Sequence, residues 1–201
     1  TLNYSELGRS FGASDTTVRR YLDILAATFM VRLLPPWHEN IGKRQVKAPK
    51  LYLRDSGLFH FLLGAADMAA LRTHPKLGAS WEGFALETLL YHELRVFNEA
   101  SAKHRKLAYY HTAANVEIDF IIETRKRIQG GKPSVICVEV KSADRWERSW
   151  DRAMRELAAS GKIQAEGLYG VYRGSRRLKF DNIQVLPVED FLSALHAHQI
   201  F

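Results

Sequence analysis

The chain has 201 residues, 46% of them hydrophobic and 25% charged, a balance typical of a soluble globular protein. Lysine and arginine total 29 against 22 acidic residues, and the resulting net charge of +7 is compatible with a polyanionic partner such as nucleic acid. No apolar run is long enough to cross a membrane and no signal peptide is present. We therefore expect a cytoplasmic location and no membrane partner.

Residues 1–65 predict a winged helix-turn-helix domain. Asn3 can cap a short helix that ends at Gly12, and Ser14 can cap a second helix. Apolar residues recur at helical spacing along the second helix. They are Val18, Tyr21, Leu22 and Leu25.

Two short strands follow these helices, over residues 29–34 and 51–53, with a Pro35-Pro36 break and a basic loop between them. Helix, helix, strand, basic loop and strand is the order of a winged helix. The alternative is a small helical packing module with a solvated basic loop. Polar and basic residues of the second helix and the loop are our candidates for nucleic-acid contacts. They are Thr17, Arg19, Arg20, Lys43, Arg44 and Lys47.

Residues 66–201 predict a second domain of the α/β class, because helical and strand patterns alternate along them. Asp144 is predicted to cap a helix whose apolar stripe begins at Trp146 and Trp150, with arginines on a solvated face or against phosphate. Cys137 lies in an apolar run and predicts a buried structural thiol, since one cysteine cannot form an internal disulfide. The other predicted elements are helices over 58–63, 81–96 and 188–195 and strands over 107–112, 116–122, 135–141, 167–172 and 182–186.

The two central strands of this domain carry acidic residues. Side chains alternate between the faces of a strand, so Ile118, Phe120 and Ile122 are predicted to share one face and Glu117 and Asp119 the other. Glu139 and Lys141 share a face of the next strand. If the strands pair in register, Asp119, Glu139 and Lys141 meet on one surface, where they could hold a divalent cation and orient a water. The alternative is an ordinary solvated strand face.

A helix with Glu82, a strand with Asp119 and a following Glu139-x-Lys141 resemble the PD-(D/E)xK nuclease superfamily in order and spacing. The resemblance implies a restriction-endonuclease-like mixed sheet flanked by helices. It implies that Glu82, Asp119, Glu139 and Lys141 are the catalytic residues. It also implies that Mg2+ is bound by Asp119, Glu139 and Glu82, with Glu117 as an alternative to Glu82.

Further segments of the chain resemble the C-terminal region of prokaryotic AAA-type ATPases, a domain of unknown function. These segments are residues 21–25, 34–37, 47–52, 54–58, 78–82, 117–120 and 139–141. The resemblance implies an ATPase domain upstream in the same polypeptide, and Thr1 already enters a patterned segment, as expected of a piece of a longer protein. No G-x-x-x-x-G-K-[ST] loop is present, so we do not expect this fragment to bind ATP.

The expected function is therefore that of a DNA-binding, nuclease-like region of an AAA-type ATPase, with Mg2+-dependent phosphodiester hydrolysis. The alternative is a non-catalytic module that binds DNA or a protein for its ATPase. A simple winged-helix transcription regulator ranks last, because it leaves the acidic residues and the lysine without a role. An oligomer is compatible with the sequence.

Overall fold

The computed structural model describes residues 2–37, 48–64, 69, 73, 78–112, 116–126 and 131–201. The predicted domain boundary after residue 65 lies outside these residues. Within them, no helix is both long enough and apolar enough to cross a membrane.

The N-terminal unit begins with helices α1 (Tyr4–Phe11) and α2 (Asp15–Ala27), followed by strands β1 (Val31–Leu34) and β2 (Lys50–Leu53) and helix α3 (Ser56–Leu63). The predicted caps are confirmed. Asn3 accepts a hydrogen bond from the Glu6 backbone N–H at 3.1 Å, and Ser14 accepts one from Thr17 N–H at 3.2 Å. Gly12 ends α1 with a φ of 62°, a left-handed conformation that glycine adopts without strain.

Two features of this unit differ from the expectation. The strand expected from Phe29 begins only at Val31, because Phe29 has a φ of 61° and lies in a turn. Of the apolar stripe on α2, only Val18 is buried within the described structure, whereas Tyr21 is 64% exposed.

The second unit contains a six-stranded mixed sheet flanked by helices, and the α/β class is confirmed. The strand order is β3-β4-β5-β6-β8-β7, with β5, β6 and β8 parallel and the other pairs antiparallel. The elements are α4 (Gly78–Ala100), β3 (Lys106–His111), β4 (Glu117–Arg125), β5 (Ser134–Lys141), α5 (Arg152–Ala159), β6 (Gln164–Tyr172), β7 (Leu178–Phe180), β8 (Ile183–Pro187) and α6 (Val188–His196).

Both faces of this sheet are buried. Helices α4 and α6 pack on one face through residues such as Leu90 and Phe191, and α5 packs on the other through Met154. Tyr52 of β2 belongs to the first of these clusters, so the N-terminal unit shares that core. The faces of the central strands are therefore not exposed to solvent, and buried polar groups on them need hydrogen-bond or ion-pair partners within the protein.

The expectation that Ile118, Phe120 and Ile122 share a face is wrong. Tyr110 of β3 pairs with Ile118 and Ala108 pairs with Ile121, so β4 holds one extra residue between these points. Such a bulge resets the alternation of side chains. Ile118 consequently packs on the α5 side of the sheet, whereas Phe120 and Ile122 pack under α4.

The expectation that a helix begins at Asp144 is also wrong, because the helix begins only at Arg152. The preceding turns hold Trp146 against the sheet: its ring would lie 2.6 Å from a Cβ placed on Gly170 of β6. A helix through Trp146 would have to leave this contact. Asp151, fully buried at the start of α5, forms ion pairs with Arg148 and Arg155 at 3.2 and 2.7 Å, so these two arginines have an internal role.

Candidate functional site

The candidate site lies where β4 and β5 part. Their pairing ends at Phe120 and Val138. Beyond that point the Asp119 Oδ2 atom accepts a hydrogen bond from the Val140 backbone N–H at 2.9 Å, in place of a strand partner. Asp119 is only 5% exposed, so its carboxylate is fixed between the two strand ends.

Glu139 and Lys141 extend from the adjoining end of β5. The Lys141 ammonium donates a hydrogen bond to Glu139 Oε1. The other oxygen of Glu139, Oε2, is buried and has no hydrogen-bond partner. Burial, followed by the charge of Asp119, raises the pKa of Glu139 well above its usual value. Burial alone would lower the pKa of Lys141, but the charges of Glu139 and Asp119 outweigh it and raise that pKa.

Lys50 reaches the same place from β2 of the N-terminal unit. Its ammonium lies 2.9 Å from Asp119 Oδ1, 2.5 Å from Glu117 Oε1 and 3.5 Å from Glu87 Oε2. Lys50 is 8% exposed, and burial alone would lower its pKa. The charges of Asp119 and Glu87 more than offset burial, so the pKa is raised and the group is charged at neutral pH.

Helix α4 contributes Glu87 to this cluster. The Tyr52 hydroxyl donates to Glu87 Oε2 at 2.9 Å. A quarter of the Glu87 side chain is exposed, yet its carboxylate lies close to Tyr52, Lys50 and Asp119. Burial, and next the charge of Asp119, raise the pKa of Glu87 to about 7. Glu87 can therefore hold or release a proton near neutral pH.

The carboxylate cluster, as we call it, has six charged members. They are Glu87, Glu117, Asp119, Glu139, Lys50 and Lys141. Four carboxylates face two ammonium groups, so the fully ionised cluster carries a formal charge of −2. Burial is the first cause of the raised pKa values of Glu87 and Glu139, and the negative charge of Asp119 is the second.

Glu82, the predicted helical member of the site, forms an ion pair with Arg173 of the segment that follows β6. It is 8% exposed. Glu87 is the carboxylate of α4 that lies near Asp119, because both contact the Lys50 ammonium. Asp119, Glu139 and Lys141 are brought together as the sequence predicts, and Glu82 is held by an arginine.

The carboxylate cluster offers oxygen donors to a divalent cation, but an ammonium already lies among them. In the ranges that the structure describes, no three acidic, histidine or cysteine side chains are arranged to hold a metal ion. The space among Asp119, Glu117 and Glu87 is filled by the Lys50 ammonium. The groups present are nevertheless of the donor type that Mg2+ prefers, because they are carboxylate oxygens, and the Oε2 atom of Glu139 is buried without a hydrogen-bond partner.

The predicted nucleic-acid residues lie apart from this cluster in the sequence and belong to α2 and the basic loop. Thr17, Arg19 and Arg20 are exposed on α2, and the Arg19 guanidinium lies 3.8 Å from the centre of the Tyr4 ring. Lys43, Arg44 and Lys47 lie outside the described residues.

Sequence reasoning missed Lys50, Glu87 and Arg173. Lys50 is separated from Asp119 by 69 positions and Arg173 from Glu82 by 91, so no local pattern joins them. The usable signal was the segment over residues 47–52, which resembles the ATPase-associated family. The sequence predicts Lys50 as part of the basic loop before the second strand and indicates no role for it in the acidic site. A charged residue at the start of a short apolar strand is a candidate for a buried ion pair.

Comparison with known proteins identifies the family but no activity. Two family models match, one described as Domain of unknown function (DUF8612) over residues 1–69 and one as Domain of unknown function (DUF4143) over residues 82–191. Uncharacterized proteins of Mycobacterium bovis and Mycobacterium tuberculosis are each 38% identical over 190 residues, covering 94% of this chain. The chain spans 38% of the length of each relative. No solved structure matches. Since the second model covers more than half of the sequence, the chain belongs to the family described as Domain of unknown function (DUF4143).

Proposed function

We propose that this chain is a DNA-binding, nuclease-like region in which the carboxylate cluster supports Mg2+-dependent hydrolysis of phosphodiester bonds. The observation that carries the proposal is the buried, unpartnered Oε2 of Glu139 beside Asp119, in a cluster with a formal charge of −2. A buried carboxylate oxygen without a partner requires an explanation, and a bound cation supplies one.

Asp119 and Glu139 would hold the cation. Bound Mg2+ supplies polarisation of a phosphodiester oxygen and a lowered pKa for a nearby water. Lys141, whose charge Glu139 and Asp119 maintain, is the donor that can orient the water or neutralise charge developing on the phosphate. Glu87, with a pKa of about 7, can accept a proton at neutral pH.

The finer fold assignments belong to the same proposal. A mixed sheet between helices, with the acidic residues at the ends of two central strands, supports a restriction-endonuclease-like domain for the second unit. Two capped helices followed by an antiparallel strand pair support a winged helix for the first. Since DUF4143 domains are typically associated with AAA-type ATPases, we propose an ATPase domain elsewhere in the full protein as the partner.

Nicking of supercoiled DNA in Mg2+ or Mn2+ tests the catalytic proposal. Asp119→Asn should reduce the rate at least about 100-fold, because it removes a proposed ligand and leaves the volume nearly unchanged. Glu123→Gln, farther along β4, is the matched control and should cut like the wild type. Equal cutting by Asp119→Asn and wild type, with both folded, would refute the assignment.

A non-catalytic binding module is the second candidate, and Lys50 favours it. The Lys50 ammonium already neutralises the Asp119 carboxylate at 2.9 Å. Such an ion pair is expected if the cluster serves to hold the two units together. A non-catalytic module should bind DNA with an affinity that falls steeply with salt concentration, and Asp119→Asn should leave that affinity unchanged. Reversing the charges of Arg19, Arg20 and Lys47 together should abolish that binding. Binding that survives the reversal would place the DNA surface elsewhere.

A further inference from the structure

Lys50 holds the place of a cation in the carboxylate cluster. Its ammonium lies between 2.5 and 3.5 Å from oxygens of Glu117, Asp119 and Glu87. The ammonium carries one positive charge and donates a hydrogen bond to Asp119, so three ionised carboxylates around it leave negative charge in excess. The arrangement matches the donor chemistry of a cation site, with a protein group in place of the ion.

A divalent cation on Asp119 and the Lys50 ammonium compete for the same oxygens. Asp119 Oδ2 is engaged by the Val140 backbone N–H, and Oδ1 is engaged by Lys50. A cation that binds Oδ1 at the distance of about 2.0–2.6 Å usual for Mg2+ or Ca2+ would lie close to Lys50 and repel it.

Open space adjoins the Lys50 side chain. A cavity of about 440 Å³ adjoins the cluster and is lined by Lys50, Glu87 and Glu117 together with Leu2, Leu51, Tyr52 and Phe84. If Lys50 leaves Asp119, its ammonium can remain beside Glu87 and Glu117 in this cavity. Displacement therefore does not leave the positive charge in an apolar environment.

From these observations we propose that Lys50 is a resident counter-ion that a divalent cation must displace from Asp119, and that it sets the cation affinity of the site. The inference rests on the proposed function. Because Lys50 belongs to β2, the position of β2 against the sheet then determines how tightly the second unit binds a cation. Two hydrogen bonds hold the residues before Lys50 in place: the Leu2 backbone N–H donates to the Pro49 carbonyl at 2.9 Å, and the Tyr109 hydroxyl donates to the Ala48 carbonyl at 2.6 Å.

Calorimetric titration with Mn2+ tests the inference on the wild type, Lys50→Met and the control Lys106→Met, which removes an exposed ammonium on β3. Lys50→Met should bind Mn2+ at least tenfold more tightly than wild type, and Lys106→Met should match wild type. Equal or weaker binding by Lys50→Met, with the wild type binding, overturns the inference alone. Failure of both proteins to bind overturns the proposed cation site together with it.

A measurement on the unaltered protein covers the case in which Lys50→Met does not fold. Reductive methylation followed by mass spectrometry reports how accessible each lysine amine is. Without metal, the buried and ion-paired Lys50 should react slowly compared with Lys106. Saturating Mg2+ should raise the Lys50 rate at least about tenfold and leave Lys106 unchanged. Unchanged protection of Lys50 at saturation overturns the proposal.

Discussion

Replacing Lys50 by methionine in the metal-free protein removes the ammonium that lies among Glu87, Glu117 and Asp119 and keeps a side chain of similar length. At 2.9 Å and an effective dielectric constant of about 20, the attraction to Asp119 is roughly 6 kcal/mol before other terms are counted. Desolvation of the buried ammonium offsets several kcal/mol of this. We therefore expect Lys50→Met to lower the free energy of unfolding by about 3–5 kcal/mol, the loss typical when one partner of a buried ion pair is removed.

Urea unfolding in EDTA, monitored by tryptophan fluorescence, measures this loss in the free energy of unfolding. The control Lys106→Met should lie within about 0.5 kcal/mol of wild type, because that lysine is exposed. In an Asp119→Asn background, Lys50→Met should cost at least about 1 kcal/mol less than in wild type, since the two residues are in contact. A loss below about 1 kcal/mol for Lys50→Met in wild type would refute the view that its charge is needed to neutralise the cluster.

Three further predictions concern single groups. Burial raises the pKa of the Cys137 thiol to about 12, so Ellman's reagent should react only after unfolding in urea; rapid reaction of the folded protein would contradict this. The pKa of Glu87 is about 7 in the folded state and 4.5 in the unfolded state, so between pH 4.5 and 7 the folded state binds more protons. The free energy of unfolding should therefore fall as the pH rises through this range, by up to about 3 kcal/mol. Glu87→Gln should flatten this pH dependence in metal-free urea titrations, and an unchanged slope would assign it to another group. Gly170→Ala would place a Cβ 2.6 Å from the Trp146 ring and should destabilise the protein by about 1–3 kcal/mol, with a shifted fluorescence spectrum; wild-type stability would show that the ring moves freely.

Local features of this fold could be predicted because their causes are local. Asn3, Ser14 and Asp55 each accept a backbone N–H three residues ahead, and a cap of this kind is visible in sequence. The strands around Asp119 and Glu139 were likewise visible as β-branched runs. The sequence alone therefore predicts that Asp119, Glu139 and Lys141 lie together.

The features that were missed depend on contacts between distant segments. The bulge between Ile118 and Ile121 arises from pairing with β3, and the late start of α5 follows the packing of Trp146 on β6. Lys50 and Glu87 join Asp119 only because β2 and α4 pack against the same sheet edge. Spacing along the chain carries no record of such contacts.

We propose that the carboxylate cluster is a cation site. Anomalous diffraction from crystals of this chain soaked in Mn2+ tests it most directly. We expect a manganese peak bonded to Asp119 and Glu139, with the Lys50 ammonium moved away from Asp119. A map without a peak at the cluster, with Lys50 still bound to Asp119 at the highest Mn2+ concentration, would contradict it.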